Sequence, residues 1–383
     1  MTPGPQPADA SPDVLISGTG LFTPTDSISN EELVEAYNAW VDRQNETDRA
    51  AIAAGEKEAF AHSSAGFVQS ASGIQSRYVM DREGILDPRV MAPRLRERSD
   101  DEPSIQCEMA LAAADQAMGA AGCEGAEIDC VLVACSNLER PYPAVAVELQ
   151  ELIGAGGWAY DMNVACSSAT FGIQAGVDAL RAGSAERVLV VNPEICTGHL
   201  NFRDRDSHFI FGDACTAVVL ERANGAAPCD SFRVLGTRLA TRFSNNIRNN
   251  FGFLNRARPE SIGGDDKLFV QQGRKVFKEI VPLVAELVLG HLSELGIAPE
   301  SLRRLWLHQA NLAMNQLIAK RVLGREPNAA EAPVILDRYA NTSSAGSVIA
   351  FHQNHDDLQA GDLGLICSFG AGYSVGSVVV QRV

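Results

Sequence analysis

The chain has 383 residues, of which 46% are hydrophobic and 21% charged, with a net charge of −16. That is enough apolar material for two domains or one large duplicated fold. The negative balance argues against a nucleic-acid binder, which needs Lys and Arg to neutralise phosphates, and against a general affinity for anionic membranes, and no apolar run approaches the ~18 residues of a membrane span.

Met1 to Asp13 is Pro/Ala-rich, with neither a basic region nor an apolar core, and is expected to be a disordered leader rather than a signal peptide. Val14–Gly20 reads as a short buried strand, and Ser29-Asn30-Glu31-Glu32 as a helix start with an acidic first turn. The pattern from Glu31 to Ser72 is mostly helical and charged, and Gly73–Tyr78 breaks it. Residues 81–103 are rich in Arg, Asp, Glu and Pro and read as an irregular surface excursion. An Ala-rich helix over Pro103–Ala121 precedes a strand at Cys130–Cys135, and a helix follows near Ala144–Ile153. Trp158, Tyr160, Met162 and Val164 alternate as in a strand, whereas Ala169, Ile173, Gly176, Val177 and Leu180 recur at helical spacing. Val188–Val191 is a further buried strand. Strands alternating with helices predict an α/β fold with a largely parallel sheet.

The second half repeats features of the first. Val131–Asn137 lines up with Leu305–Asn311, and Phe211–Leu220 with Phe369–Val380, each near the same relative place. The spacing predicts an internal duplication: an N-terminal half over 14–223, with a helical and irregular insertion at about 40–103, and a C-terminal half over 231–383. The boundary falls near Asn224–Asp230. Duplicated α/β halves commonly place a site at their interface, outside strand C-termini.

Cys166 sits at such an end, where the strand turns into the helix. The positive end of a helix dipole is expected to lower a thiol pKa there, although a lone Cys in an apolar stretch is more often packing. His308 follows the strand Leu305–Leu307 and precedes a helix beginning near Asn311. Asn341, after an expected strand Val334–Leu336, suits a turn or cap but also offers an amide donor. Phe369-Gly370-Ala371-Gly372 reads as a tight hairpin or as a loop aiming a backbone N–H at the nucleophile. Such a trio supplies a nucleophile and two neutral donors for a developing oxyanion. The nine cysteines include no CxxC pair, so free thiols in a cytoplasmic protein are expected, with no metal site.

Five motifs in order give a resemblance. Ala165-Cys166-Ser167-Ser168, Phe211-Gly212-Asp213, His308-Gln309-Ala310-Asn311, Ala340-Asn341-Thr342-Ser343-Ser344-Ala345 and Phe369-Gly370-Ala371-Gly372 resemble those of the β-ketoacyl-acyl carrier protein (ACP) synthase III family, over about residues 14–383. Asn163–Gly172, Asn201–Phe209 and the extra segment near 40–100 resemble the longer, medium-chain-primed β-ketodecanoyl-ACP synthases. The resemblance implies a thiolase-like fold of two α/β halves in an αβαβα stack. It implies acyl-CoA and malonyl-ACP as substrates, ACP as partner, a homodimer, and no cofactor. Catalytic roles fall on Cys166, His308 and Asn341, with the Cys166 and Ala371 amides as oxyanion donors. Ala371 stands where the family has glycine. Tyr142 matches the position that reaches across the dimer into the acyl tunnel, and Arg274, Lys275 and Lys278 match the carrier-docking helix. The short enzymes' adenine-stacking Trp has only Trp40 as a weak candidate, which leaves CoA contacts unassigned. Glu139 reads as a surface or interface carboxylate, with a second base as its alternative, and His208 and His199 read as structural. Rival readings are a condensing enzyme with another acceptor (polyketide starter or head-to-head), a Cys/His/Asn hydrolase, and a non-catalytic partner subunit.

Overall fold

The computed structural model describes residues 12–223, 230–250, 257, 259–264 and 267–383. The expected leader up to residue 11 and the expected linker at 224–229 lie outside the described residues. The first run of elements is β1 (Val14–Phe22), β2 (Asp26–Ser29), α1 (Asn30–Thr47), α2 (Arg49–Ala53), α3 (Ala65–Ser72), β3 (Ser76–Val79), α4 (Arg82–Leu86), α5 (Ile105–Ala121), β4 (Cys130–Ala134), α6 (Val145–Ile153), β5 (Trp158–Met162), α7 (Ser168–Arg181), β6 (Arg187–Ile195) and β7 (Asp213–Arg222). The second is β8 (Phe232–Ser244), β9 (Ile247–Arg248), β10 (Val270–Gln271), α8 (Gly273–Glu294), β11 (Leu302–Leu307), α9 (Leu312–Leu323), α10 (Leu336–Tyr339), α11 (Ala345–Gln353), β12 (Leu363–Gly370) and β13 (Gly372–Arg382).

Nine strands form one sheet in the order β11-β12-β13-β8-β1-β7-β6-β4-β5. From the middle outward, β1-β7-β6-β4 runs antiparallel, antiparallel, parallel, and β8-β13-β12-β11 repeats that pattern. The two runs meet where Leu15 and Ile16 pair with Arg233 and Phe232.

Strand periodicity builds the layers, because successive side chains leave opposite faces. Val131, Val133, Leu189, Val191, Ala217 and Val219 pack with the inner faces of α5 and α6. Their neighbours Leu132, Val188, Val190, Val218 and Leu220 face the other way, onto α7 and α11. Trp306, Ile366, Val378 and Val380 join that same middle core from the second run. Leu305, Leu307, Leu365 and Val379 face α8 and α9. The two halves of this one sheet thus flank α7 and α11, with α5 and α6 outside one half and α8 and α9 outside the other, a five-layered thiolase-like stack. The outer contact of α5 with β1 is so close that a Cβ on Gly20 would lie 1.9 Å from the Ala113 carbonyl oxygen.

The expected helix start at Ser29 is a full capping box. Ser29 Oγ accepts from Glu32 N–H at 3.2 Å, and the Glu32 carboxylate accepts from Ser29 N–H at 2.9 Å. The helical span to Ser72 divides into α1, α2 and α3, with residues 54–64 irregular. Leu33, Tyr37 and Val41 of α1 and Val68 of α3 pack with Phe202, Phe209 and Phe211. The insertion thereby braces the 202–211 segment.

One expected strand is absent. Val334–Leu336 does not join the sheet; it leads into the short helix α10. Gln309 accounts for this, since its Oε1 accepts the N–H groups of Ile335 and Leu336 at 3.1 and 3.2 Å. Ile335 and Leu336 are buried as in a strand, with Val334 exposed, but their donors are met by a side chain rather than a ladder.

Candidate active site

Cys166, His308 and Asn341 line one pocket of about 690 Å³, together with Gly370 and Phe369. Its walls are largely aromatic and aliphatic, with Phe67, Phe209, Phe211, Phe269, Phe277 and Met314 among them.

Cys166 lies between β5 and α7, partly open to the pocket. Ala165, just before it, has φ +49°, a left-handed conformation that L-residues adopt at a strain cost. Asn163 Oδ1 accepts the Ala165 N–H at 2.9 Å and holds the turn. The expected lowering of the thiol pKa is not found. Burial pushes it up, and the nearby Glu194 charge adds to that, whereas the Ser343 side chain and the main-chain N–H groups of Ala371 and Cys166 oppose it. Desolvation outweighs the helix end because the thiol lies deep in protein with no basic partner. Those two N–H groups are the ones expected to form the oxyanion hole. Gly370 faces Cys166 so closely that a Cβ there would stand 2.5 Å from Cys166 Cβ and 2.8 Å from Sγ.

His308 is held by its main-chain N–H on Cys367 C=O, at 2.7 Å, as the chain leaves β11. Burial pushes its imidazole down to about 4, against a smaller upward pull from the Ser343 main chain. At neutral pH the ring is therefore uncharged, a donor without a formal charge. The Phe369 ring meets it edge-on, with centroids 5.2 Å apart.

Asn341 is locked by its backbone. Its N–H donates to Ile210 C=O at 3.0 Å, and its C=O accepts from Gly212 N–H at 3.2 Å. Its Oδ1 accepts the Ser343 N–H at 2.9 Å, which leaves the amide NH2 as its free donor. Ala340 and Ser343, on either side, have φ +53° and +49°. Of the five described non-glycine residues at positive φ, three flank Cys166 or Asn341.

Sequence reasoning missed Ser343, Gln309 and Asn311 as working parts. Ser343 touches the environment of Cys166, His308 and Asn341 alike. Asn311 caps α9, accepting from Met314 N–H at 3.2 Å, and its NH2 donates to Ala71 C=O at 2.8 Å. Their signal was present in the motifs, but nothing local separates a catalytic polar residue from its scaffold. Asp213, in the matched Phe211 motif, accepts from Thr197 N–H and Oγ1 and from Met80 N–H, and burial raises it to about 6.

Arg274 lines the same pocket, and Lys275 and Lys278 are exposed beside it at the start of α8. Tyr142 stands 82% exposed and away from the pocket of this chain. Glu139 lines a separate cavity of about 980 Å³ with His199, and exchanges hydrogen bonds with Gln106. His199 and His208 are buried and both pushed down to about 4. Trp40 is not available to stack on a base: it is buried against Tyr37 and Phe60.

Comparison with known proteins decides the family. Residues 160–241 match the 3-oxoacyl-[acyl-carrier-protein (ACP)] synthase III model, and residues 292–382 match its C-terminal model. A beta-ketodecanoyl-[acyl-carrier-protein] synthase of Pseudomonas aeruginosa is 61% identical over 349 residues, spanning 91% of this chain and 100% of that protein. The chain belongs to the β-ketoacyl-ACP synthase III family. A second synthase III, from Brucella anthropi, is 31% identical over 313 residues, covering 79% of this chain and 93% of the relative. Among solved structures, the synthase III of Aquifex aeolicus superposes with a TM-score of 0.74 at 22% identity, covering 96% of this chain and 99% of that one. As a synthase III the chain is a condensing acyltransferase of fatty acid biosynthesis.

Proposed function

We propose that Cys166 carries a medium-chain acyl group taken from acyl-CoA, and that the enzyme condenses it with malonyl-ACP to a β-ketoacyl-ACP. The observation that supports this most is the meeting of Cys166, His308 and Asn341 in one apolar-walled pocket. The primer length rests on the likeness to a relative whose name specifies a β-ketodecanoyl product.

In the first half-reaction the Cys166 sulfur attacks the thioester carbonyl. The tetrahedral oxyanion takes hydrogen bonds from the Cys166 and Ala371 N–H groups; one such donor is worth roughly 3–4 kcal/mol. The C–S bond to CoA breaks, and the proton from the Cys166 thiol leaves on CoA as its thiol. In the second half, the malonyl thioester loses carbon dioxide. Its enolate oxygen is met by the neutral His308 ring and the Asn341 NH2. The enolate carbon attacks the acyl carbonyl, and Cys166 departs as a thiolate that regains a proton. Both donors are neutral and neither is a carboxylate, which would oppose the enolate as a fixed anion.

The chemistry needs only the two thioesters, and synthase III enzymes in general work without a cofactor. Arg274, Lys275 and Lys278 present an exposed basic face at the pocket rim for an acidic carrier protein. The edge strand β5, paired only with β4, exposes Trp158 and Tyr160 and supports a homodimer in which Tyr142 crosses to the partner's tunnel. No described helix is long and apolar enough to cross a membrane, and a cytoplasmic site of action fits these substrates.

Intact-mass measurement after incubation with acyl-CoAs of increasing length tests the proposal. An acyl adduct on Cys166 that is most abundant with an eight-carbon chain is expected. Fastest acylation by acetyl-CoA would overturn the medium-chain assignment, and absence of any adduct would overturn the function.

A further inference from the structure

Glu194, near the end of β6, is a fully buried carboxylate that the steps above do not use. Its Oε1 accepts from Ser136 N–H at 3.0 Å and from Ser344 N–H at 3.2 Å, and also from the Ser344 hydroxyl. Its Oε2 accepts from the Ser136 hydroxyl at 2.6 Å. With the Cys196 thiol, which donates to Oε2 at 3.8 Å, five donors surround it, and the hydrogen bonds favour the ionised form. Burial outweighs these hydrogen bonds, and the carboxyl is raised above its ordinary value. The partners are two serines and a thiol rather than a cation, an expensive way to bury a charge.

The two serines open onto the two catalytic turns. Ser136 follows β4, and its C=O accepts from Asn163 Nδ2 at 2.8 Å. Asn163 Oδ1 in turn fixes Ala165 N–H, one residue before Cys166. Ser344 is the residue at the start of α11, next to Ser343, whose N–H closes the turn on Asn341. One carboxylate therefore ties the Cys166 turn, from the first run of the fold, to the Asn341 turn, from the second. Both turns are held at positive φ without glycine, a conformation that persists only where surrounding bonds over-determine it.

We propose that Glu194 is a positioning residue that fixes the Cys166 turn and the Asn341 turn against one another, so that acyl transfer and decarboxylation are served by a single geometry. Its charge also bears on the thiols packed around it. These are Cys135 after β4, Cys196 after β6, Cys215 on β7 and Cys166 itself, each of which it pushes up. His308, uncharged at neutral pH, lines the same pocket as Cys166, with Asp206 and Arg274 as its other ionisable lining residues.

This inference rests on the proposed function for its kinetic arm but not for its thiol arm. Three variants separate charge from reach. Glu194→Gln keeps the size and removes the charge, Glu194→Asp keeps the charge and shortens the reach, and Ser344→Ala removes one strut. The pH dependence of Cys166 alkylation by iodoacetamide is followed by intact mass. Its midpoint is expected to fall in Glu194→Gln and to stay near wild type in Glu194→Asp and Ser344→Ala. Single-turnover acylation and malonyl-ACP decarboxylation are each expected to fall on the order of 10²-fold in Glu194→Gln and Glu194→Asp, as displacements near 1 Å do. Ser344→Ala should lose decarboxylation more than acylation.

A purely structural Glu194 would lower the melting temperature yet leave the folded fraction with wild-type rates and midpoint, and that result overturns the proposal. Should Glu194→Gln fail to fold, Ser344→Ala decides: equal, wild-type rates in both half-reactions refute it. A wild-type protein inert toward every acyl-CoA and toward malonyl-ACP sinks the proposed function instead, and the alkylation midpoints still report on Glu194.

Discussion

A thiol raised by burial and an imidazole lowered by it both begin the reaction uncharged. Acylation of Cys166 is therefore expected to keep accelerating past the ordinary thiol value near 8.5, measured as adduct formation against pH. No acid limb from His308 is expected until the pH nears 4. Cys166→Ala should lose acyl transfer by several orders of magnitude while retaining slow decarboxylation of malonyl-ACP, read as carbon dioxide release. His308→Ala and Asn341→Ala should lose decarboxylation more than acylation; equal losses in both would refute the division of labour. Gly370→Ala should abolish acylation without unfolding the chain, because the added methyl takes the space of Cys166 Sγ. Cys166, His308 and Asn341 could be singled out in the sequence because their motifs occur together and in order; singly, each reads as a packed, structural or capping residue. Glu194 and Ser343 could not be, because their partners are distant in sequence. Glu194 meets Ser344 across 150 positions, and only the fold supplies that contact.

At the scale of elements, the first two turns of α8 carry Arg274 at the pocket and the exposed Lys275 and Lys278 beside it. Reversing charge at Lys275 and Lys278 is expected to raise the KM for malonyl-ACP severalfold and leave acylation by acyl-CoA unchanged. Loss of both activities would count against a docking role. Several elements could be read from period and caps: β1, α5, β4, α7 and β11 fall within a few residues of their expected spans, and α1 does so at its start only. Two expectations fail: the sheet is not largely parallel, since five of its eight strand pairings are antiparallel, and Val334–Leu336 is not a strand. Val334-Ile335-Leu336 has the composition of a buried strand, and burial was the correct part of that reading for Ile335 and Leu336. Composition reports burial, but it does not report that Gln309 has already claimed the backbone donors.

For the whole molecule, acid sensitivity follows from three buried histidines. His199, His208 and His308 are each pushed down to about 4, so the unfolded chain binds three protons between pH 6.5 and 4 that the folded chain refuses. Stability from these groups is fully present above pH 6.5 and is lost as the pH falls through that window, which thermal melts at stepped pH will follow. Asp213, raised to about 6, works in the opposite sense, and its contribution is lost as the pH rises through 6.

The missing strand also gives the nine-stranded sheet two unlike ends. At one end the β11 edge is partly occupied, with Leu305 N–H donating to Glu331 C=O at 2.7 Å. At the other, β5 pairs on one side only and leaves Trp158 and Tyr160 at 38% and 41% exposure. A sheet with one adhesive end has a valence of one. Two copies joined antiparallel through β5 satisfy each other and stop, whereas two open ends would propagate into a fibre. Sedimentation should accordingly find pairs and no larger series, and a proline in β5 should return single chains.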